Sequence, residues 1–214
     1  MHDIYDFLSN TLFSQYSTYT LTQKILEFTA VILGITSVIY SKKNNILLYP
    51  TGLASTIIYI YLLLDWQLYG DLLINMYYFY MSIYGWILWG RHRNVKEFLK
   101  ITTISHLDYK ICIIIFVVSI IFVSCIYMYF NMFTIWWAYV DTVMTGLLFV
   151  GTWLLAKRKL ENWLFLIAGD IIAIPLFYLK GYTLTSILNL FLTVIAIYGY
   201  LAWKTTLHDK KLQQ

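Results

Sequence analysis

The sequence predicts an all-α polytopic membrane protein of seven transmembrane helices, arranged 3+1+3 as two parallel three-helix repeats around an unpaired fourth helix. Three observations predict it. The first is composition: 60% of the 214 residues are hydrophobic, 12% are charged, and the mean hydropathy is +0.68, whereas a soluble domain carries about 25% charged residues. The second is a set of seven apolar runs, at 25–41, 46–64, 70–90, 110–130, 134–156, 162–179 and 182–203. Each approaches the roughly 20 residues that cross an about 30 Å hydrocarbon core at about 1.5 Å per residue. The third is an internal repeat. Moved by 114 positions, Ile83-Tyr84-Gly85-Trp86 meets Ile197-Tyr198-Gly199-Tyr200, Trp89 meets Trp203, Asn75 meets Asn189, Glu27 meets Asp141 and Lys43 meets Lys157. Four helices separate the partners, so they run in the same direction, a relation found in transporters whose site lies at the repeat interface.

The elements follow in order. Residues 1–24 form an N-terminal segment in which Ile4, Leu8, Leu12, Tyr16 and Tyr19 fall near helical spacing among Asp3, Asp6, Asn10 and Ser14. This predicts an amphipathic interfacial helix rather than an eighth span. Its start lacks a basic stretch, which predicts no cleavable signal peptide. The first repeat covers 25–90. Its helices carry Glu27 and Gly34, then Pro50 in an opening turn where a missing N–H costs little, then Asp71, Asn75 and the tyrosines 77, 78, 80 and 84. A basic linker and connector helix occupy 91–133. The connector has only Ser119 and Ser124 as polar groups besides tyrosine, and reads as lipid-facing. The second repeat covers 134–203. It opens on the aromatic belt Trp136-Trp137, carries Asp141 and Thr145, then Asp170 and Pro175, then Asn189. Pro175 predicts a local kink. Residues 204–214 are a tail.

Charge orients the chain. Of 15 Lys and Arg, only Lys24 and Lys180 fall on one side of the seven spans, leaving 13 on the other. The positive-inside rule makes the crowded side cytoplasmic, with the N-terminus outside and the C-terminus inside. The basic residues flank helix ends and form no aromatic-studded patch, so the +4 net charge does not point to nucleic acid. Cys112 and Cys125 lie about 20 Å apart on one helix, beyond disulfide reach, and read as small apolar fillers. His2, His92, His106 and His208 fall outside the spans, so no metal site is expected and no cofactor is implied. No nucleophile–base pair suggests catalysis, which argues against an enzyme; the basic turn Lys157–Lys159 stands without a catalytic His or Cys.

Asp170 is the central candidate. An ionisable group inside a membrane-length apolar run costs about 2.5–3.5 kcal/mol on insertion scales and is a functional hypothesis by default. It either accepts a hydrogen bond from substrate or partners a buried polar group. Trp163, two turns before it, either stacks on a ligand ring or anchors the interface. Asn75 and Asn189 offer donor and acceptor in one amide, for ligand or for interhelical bonding. Glu27, Tyr49, Asp141, Thr145 and Trp153 are gate or vestibule candidates. The small residues Gly34, Gly146 and Gly151 permit close helix approach.

The block Ala156-Lys157-Arg158-Lys159-Leu160-Glu161-Asn162-Trp163, with Asp170 and Ile174-Pro175-Leu176 after it, resembles the turn and sixth-helix motif of the PnuC family of vitamin-precursor transporters. Leu68-Tyr69-Gly70-Asp71 and Tyr84-Gly85-Trp86-x-x-Trp89 are similar to that family's third helix. The resemblance runs from about Glu27 to Trp203. It implies a SWEET-like architecture, a trimer, and a place in the bacterial inner membrane. It also implies facilitated diffusion of nicotinamide riboside, a small-molecule vitamin, trapped by cytoplasmic phosphorylation without evident ion coupling. The fixed positive ring of such a ligand gives a reason for Asp170 and Trp163. Two positions depart from the pattern. Leu166 stands where a second Trp is expected, and Asn75 where Gln is frequent, which leaves thiamine as the alternative substrate. A proton-coupled carrier, with Asp170 as relay, and a channel are the other readings. pH-dependent uptake and bulk conductance, respectively, would reveal them.

Overall fold

The computed structural model describes residues 19–66, 69–91, 100–131, 133, 136–180 and 183–212. The expected interfacial helix lies outside them except for Tyr19, whose ring stacks on Trp66 at 4.6 Å. The described residues form seven α-helices: α1 Leu21–Lys42, α2 Leu48–Asp65, α3 Tyr69–Arg91, α4 His106–Tyr129, α5 Trp137–Ala156, α6 Asn162–Leu179 and α7 Thr183–Leu212. Six of them are long and apolar enough to cross a membrane. The exception is α3, where Asp71, Asn75, five tyrosines and two tryptophans stand among the apolar residues.

Several boundaries differ from the sequence reading. α1 starts at Leu21, because Thr20 caps it: its hydroxyl accepts from the Gln23 N–H while the Gln23 side chain accepts from the Thr20 N–H. Lys24 therefore sits in the first turn and not before the span. α4 begins at His106 through the same device, built from Ser105 and Asp108. α7 runs on to Leu212, so most of the expected tail is helix. Pro175 lies within α6, which remains helical to Leu179.

Six helices close a ring. α1 packs on α2, α2 on α3, α3 on α5, α5 on α6, α6 on α7, and α7 back on α1. α4 lies outside, against α5 and the edge of α3. It turns Cys112, Ser119, Val123 and Tyr127 inward and leaves Ile114, Val118, Ile121 and Phe122 exposed, the surface expected of a lipid-facing connector. α5 is the most enclosed helix, with 56% of its apolar window buried against 11–33% in the other five candidate spans.

The offset of 114 recurs in the hydrogen bonds. Lys43 donates to Ile39 and Lys157 to Trp153; Asn44 to Ser41 and Arg158 to Leu155; Asn45 to Tyr40 and Lys159 to Leu154. Asn44 and Arg158 both take a left-handed backbone, at φ 53° and 52°. Asn tolerates that region, whereas an Arg there costs about 1–2 kcal/mol. Two contacts compensate Arg158. Its carbonyl accepts from the Thr102 N–H at 3.1 Å, and its guanidinium lies 3.7 Å from the Trp89 ring centre.

Close approach also recurs, with the small residue exchanged between partners. Gly34 faces Ser55, and at the equivalent places Leu148 presses on Gly169. Gly52 faces Ser37, and Leu166 presses on Gly151. At the basic end, Tyr49 lies over Gly85 and packs edge-on to Trp89 at 5.1 Å, while Trp163 lies over Gly199 and packs edge-on to Trp203 at 5.5 Å. A Cβ on Gly85 or Gly199 would meet those rings at 2.4 and 2.6 Å. Gly85→Leu and Gly199→Leu are each expected to destabilise the fold by about 1–3 kcal/mol. Gly90→Ala, with nothing within 4 Å of the new Cβ, should be neutral. Thermal unfolding in detergent measures all three.

Candidate functional site

α5 brings the buried polar residues Asp141, Thr142 and Thr145 to the inside of the bundle. Thr142 satisfies itself by donating to the Ala138 carbonyl at 2.9 Å. Asp141 cannot do so, and two other helices supply its partners. One carboxylate oxygen accepts from the Tyr127 hydroxyl on α4 at 2.6 Å and from the Lys180 ammonium, just past α6, at 2.5 Å. The Lys180 stem lies beside the Phe177 ring. Asp71, at the start of α3, stands within electrostatic reach of both Asp141 and Lys180 while remaining exposed. Two acids and one ammonium thus leave this end of the bundle with a net negative character.

Asp170 lies deeper, on α6, and is buried. Among the described residues its carboxylate accepts no hydrogen bond, and Tyr78 of α3 lies within its electrostatic reach. Tyr78 packs edge-on to Phe149 of α5 at 5.9 Å. Its neighbour Tyr77 stacks on the same ring at 3.7 Å and donates its hydroxyl to the Phe149 carbonyl at 2.9 Å. The α3–α5 contact therefore holds Tyr78 in place facing α6. Membrane interiors penalise unpartnered polar groups, and among the described residues no protein donor offsets that cost for Asp170.

The two asparagines occupy equivalent positions with equivalent bonds. Asn75 donates its amide to the Asp71 carbonyl at 3.0 Å and Asn189 to the Thr185 carbonyl at 2.7 Å. Both are half-buried, and among the described residues neither amide oxygen accepts a bond. Thr145 is buried one turn below Asp141. Glu27 is half-buried in the second turn of α1.

The remaining candidates gather at the opposite, basic end. Trp163 is completely buried and wedged between Gly199 and Trp203, away from Asp141 and Lys180; its indole N–H finds no acceptor among the described residues. Tyr49 is its counterpart, with its hydroxyl likewise unpartnered. Trp153 packs near Cys112, Val150 and Leu154, and Lys157 lies 5.9 Å from its ring centre. Burial lowers the Arg158 guanidinium to about 10, which leaves it charged at neutral pH.

Sequence reasoning singled out Asp170 and Asp141 but did not single out Tyr78 from the tyrosine run of the third helix, and read Lys180 only for topology and Asp71 only as part of that helix. One signal was available: Lys180 is the single cation between the last two runs, at the end where Asp71 and Asp141 also fall.

Comparison with known proteins places this arrangement. The sequence model of the nicotinamide mononucleotide transporter family matches residues 24–205. The nicotinamide riboside transporter PnuC of Escherichia coli K12 is 23% identical, over 86% of this chain and 87% of its own length; the Shigella flexneri protein of that name matches equally. A crystal structure of the vitamin B3 transporter PnuC superposes with a TM-score of 0.64 at 21% identity, covering 86% of this chain and 82% of the other. At that identity the likeness speaks for the fold.

The polar knot yields its own expectation. Lys180→Met should lower stability by less than the roughly 3–5 kcal/mol of a fully buried pair, because 21% of the lysine side chain is exposed. Tyr127→Phe should cost less than that, since Lys180 still neutralises Asp141. Chemical unfolding of the two variants should rank them so.

Proposed function

We propose a function from one premise: the chain belongs to the nicotinamide mononucleotide transporter family, and its own substrate is nicotinamide riboside, carried by alternating access. It is a multi-pass membrane transporter. The observation that carries the substrate is Asp170, a buried carboxylate with no protein donor among the described residues and with Tyr78 beside it. Nicotinamide riboside offers a ring with fixed positive charge, which compensates a buried acid. It also offers hydroxyls and a carboxamide for groups such as Asn75 and Asn189. Trp163, at the basic end of the same helix, joins the set through its indole N–H, which has no acceptor among the described residues although its ring is fully buried against Gly199 and Trp203. Glu27, Tyr49, Asp141, Thr145 and Trp153 belong to the gates and vestibules, with the net negative end drawing cations toward the ring.

Two three-helix repeats, 25–90 and 134–203, move about the connector in a SWEET-like 3+1+3 plan. The recurrence of bonds and ring contacts at one offset supports it, as does the closed order α1–α2–α3–α5–α6–α7. The basic end faces the cytoplasm, where phosphorylation of the imported riboside drives net uptake. Asp141 is neutralised by Lys180, and among the described residues no chain of acids links it to Asp170, which favours a carrier without ion coupling. The assembly is a homotrimer in the inner membrane.

Calorimetry on the purified protein tests the substrate, with nicotinamide riboside and thiamine side by side. Nicotinamide riboside should bind, and Asp170→Asn should weaken it at least about tenfold, equal to about 1.4 kcal/mol. Binding of thiamine alone would move the substrate within the family. Binding unaffected by Asp170→Asn would remove Asp170 from the site.

A further inference from the structure

The ring closes through two seams between its halves, α3 against α5 and α7 against α1. At the basic end the seams match. The Trp89 indole of α3 donates to the Ala156 carbonyl of α5 at 3.1 Å, and the Trp203 indole of α7 donates to the Ser41 carbonyl of α1 at 3.1 Å. Beside the first, Lys157 lies 6.0 Å from the Tyr84 ring; beside the second, Lys42 lies 5.0 Å from the Tyr198 ring. Both indoles are buried; the Ala156 carbonyl takes no backbone donor among the described residues, whereas the Ser41 carbonyl also accepts from the Asn44 N–H at 2.9 Å.

Away from that end the seams part company. The α3–α5 seam continues inward through Tyr77, which stacks on Phe149 and donates to its carbonyl. The equivalent pair in the other seam is Phe191 and Ile35. Phe191 has no hydroxyl and is 61% exposed. The α3–α5 seam is also bound from outside. α4 packs on α5 and reaches α3. The segment before α4 is stitched to the α5–α6 turn: Thr102 exchanges backbone bonds with Arg158 and Leu160, and the Ile104 N–H donates to Glu161. Its Ile101 is buried in one cluster with Trp89, Leu160 and Trp163.

We propose that α3–α5 is the permanent hinge of this protein and that α1–α7 is the seam that opens at the basic end, released when the Trp203–Ser41 bond breaks. The inference goes beyond the carrier reading and rests on it only in that some movement of the halves takes place. The two seams differ in what must be lost. Opening α1–α7 at this end gives up one indole bond and one Lys–Tyr contact. Opening α3–α5 gives up the same two interactions, the Tyr77–Phe149 stack and bond, the Arg158 contact with the Trp89 ring, and the packing of Ile101 on Trp89. Trp203 and Trp89 are thus positioning residues of unequal consequence.

The test uses the full chain in lipid vesicles, with Cys112 and Cys125 replaced by Ser. Lys42→Cys/Tyr198→Cys bridges the opening seam, and Tyr84→Cys/Lys157→Cys bridges the hinge, each by a short cleavable dithiol reagent. Bridging the first pair should cut nicotinamide riboside counterflow at least tenfold, with recovery on cleavage. Bridging the second should change it less than twofold. Equal loss, or loss only at the second pair, overturns the proposal. A second measurement needs no substrate. Spin labels at Lys43→Cys/Lys204→Cys and at Gly90→Cys/Lys157→Cys report the two seams in nanodiscs, with and without Trp203→Phe. The substitution should broaden the first distance distribution and leave the second unchanged. Equal broadening, or none at the first pair, sinks the idea even if the vitamin is a different one.

Discussion

The constraint on which this structure depends is that a helix end inside or near a bilayer must find partners for carbonyls its own backbone cannot satisfy. α1 and α5 end in turns that recover most of them locally, through backbone bonds repeated at the two places. Across the seams Trp89 donates to the Ala156 carbonyl, which takes no backbone N–H among the described residues, and Trp203 adds a second donor to the Ser41 carbonyl, which already accepts from Asn44. A tryptophan can serve because its donor sits on a large apolar body. That body needs its own packing, and receives it from Tyr49 and Trp163, which in turn need the missing side chains of Gly85 and Gly199. A carbonyl at the end of the facing helix thus goes with a tryptophan, an aromatic and a glycine in each half.

The same logic separates the two buried acids. Asp141 lies near a helix end, where Lys180 and Tyr127 can reach it from neighbouring elements. Asp170 lies mid-helix among apolar side chains, with a tyrosine nearby and no ammonium bound to it. One acid is therefore committed to holding α4, α5 and α6 together, and the other is left open.

The connector is more than a covering for lipid. A helix with only tyrosines and two serines as polar groups, beyond its first turn, gives little hint of internal contacts, yet its amino-terminal approach forms a small parallel bridge with the α5–α6 turn. Lys159 ties the two by an ion pair with Asp108 and a bond to the Thr103 carbonyl. The halves are joined covalently only here, so docking this segment makes the two seams of the ring unequal.

The sequence by itself determined the helices and their number, because apolar runs of membrane length admit hardly any other backbone solution. It also determined the repeat, since equivalent positions kept equivalent chemistry: Asn75 with Asn189, Trp89 with Trp203, Gly85 with Gly199. Ends were less legible. The capping boxes at Thr20 and Ser105 lie outside the apolar runs, so α1 and α4 begin earlier than hydropathy suggests. Only the tertiary structure decided that Lys180 belongs to Asp141, that Trp163 is packed beneath Trp203, and that Tyr78 faces Asp170. Those pairings join residues from 39 to 92 positions apart. They depend on which helix faces are turned together, and the nearly uniform apolarity of the helix surfaces carries almost no record of that choice.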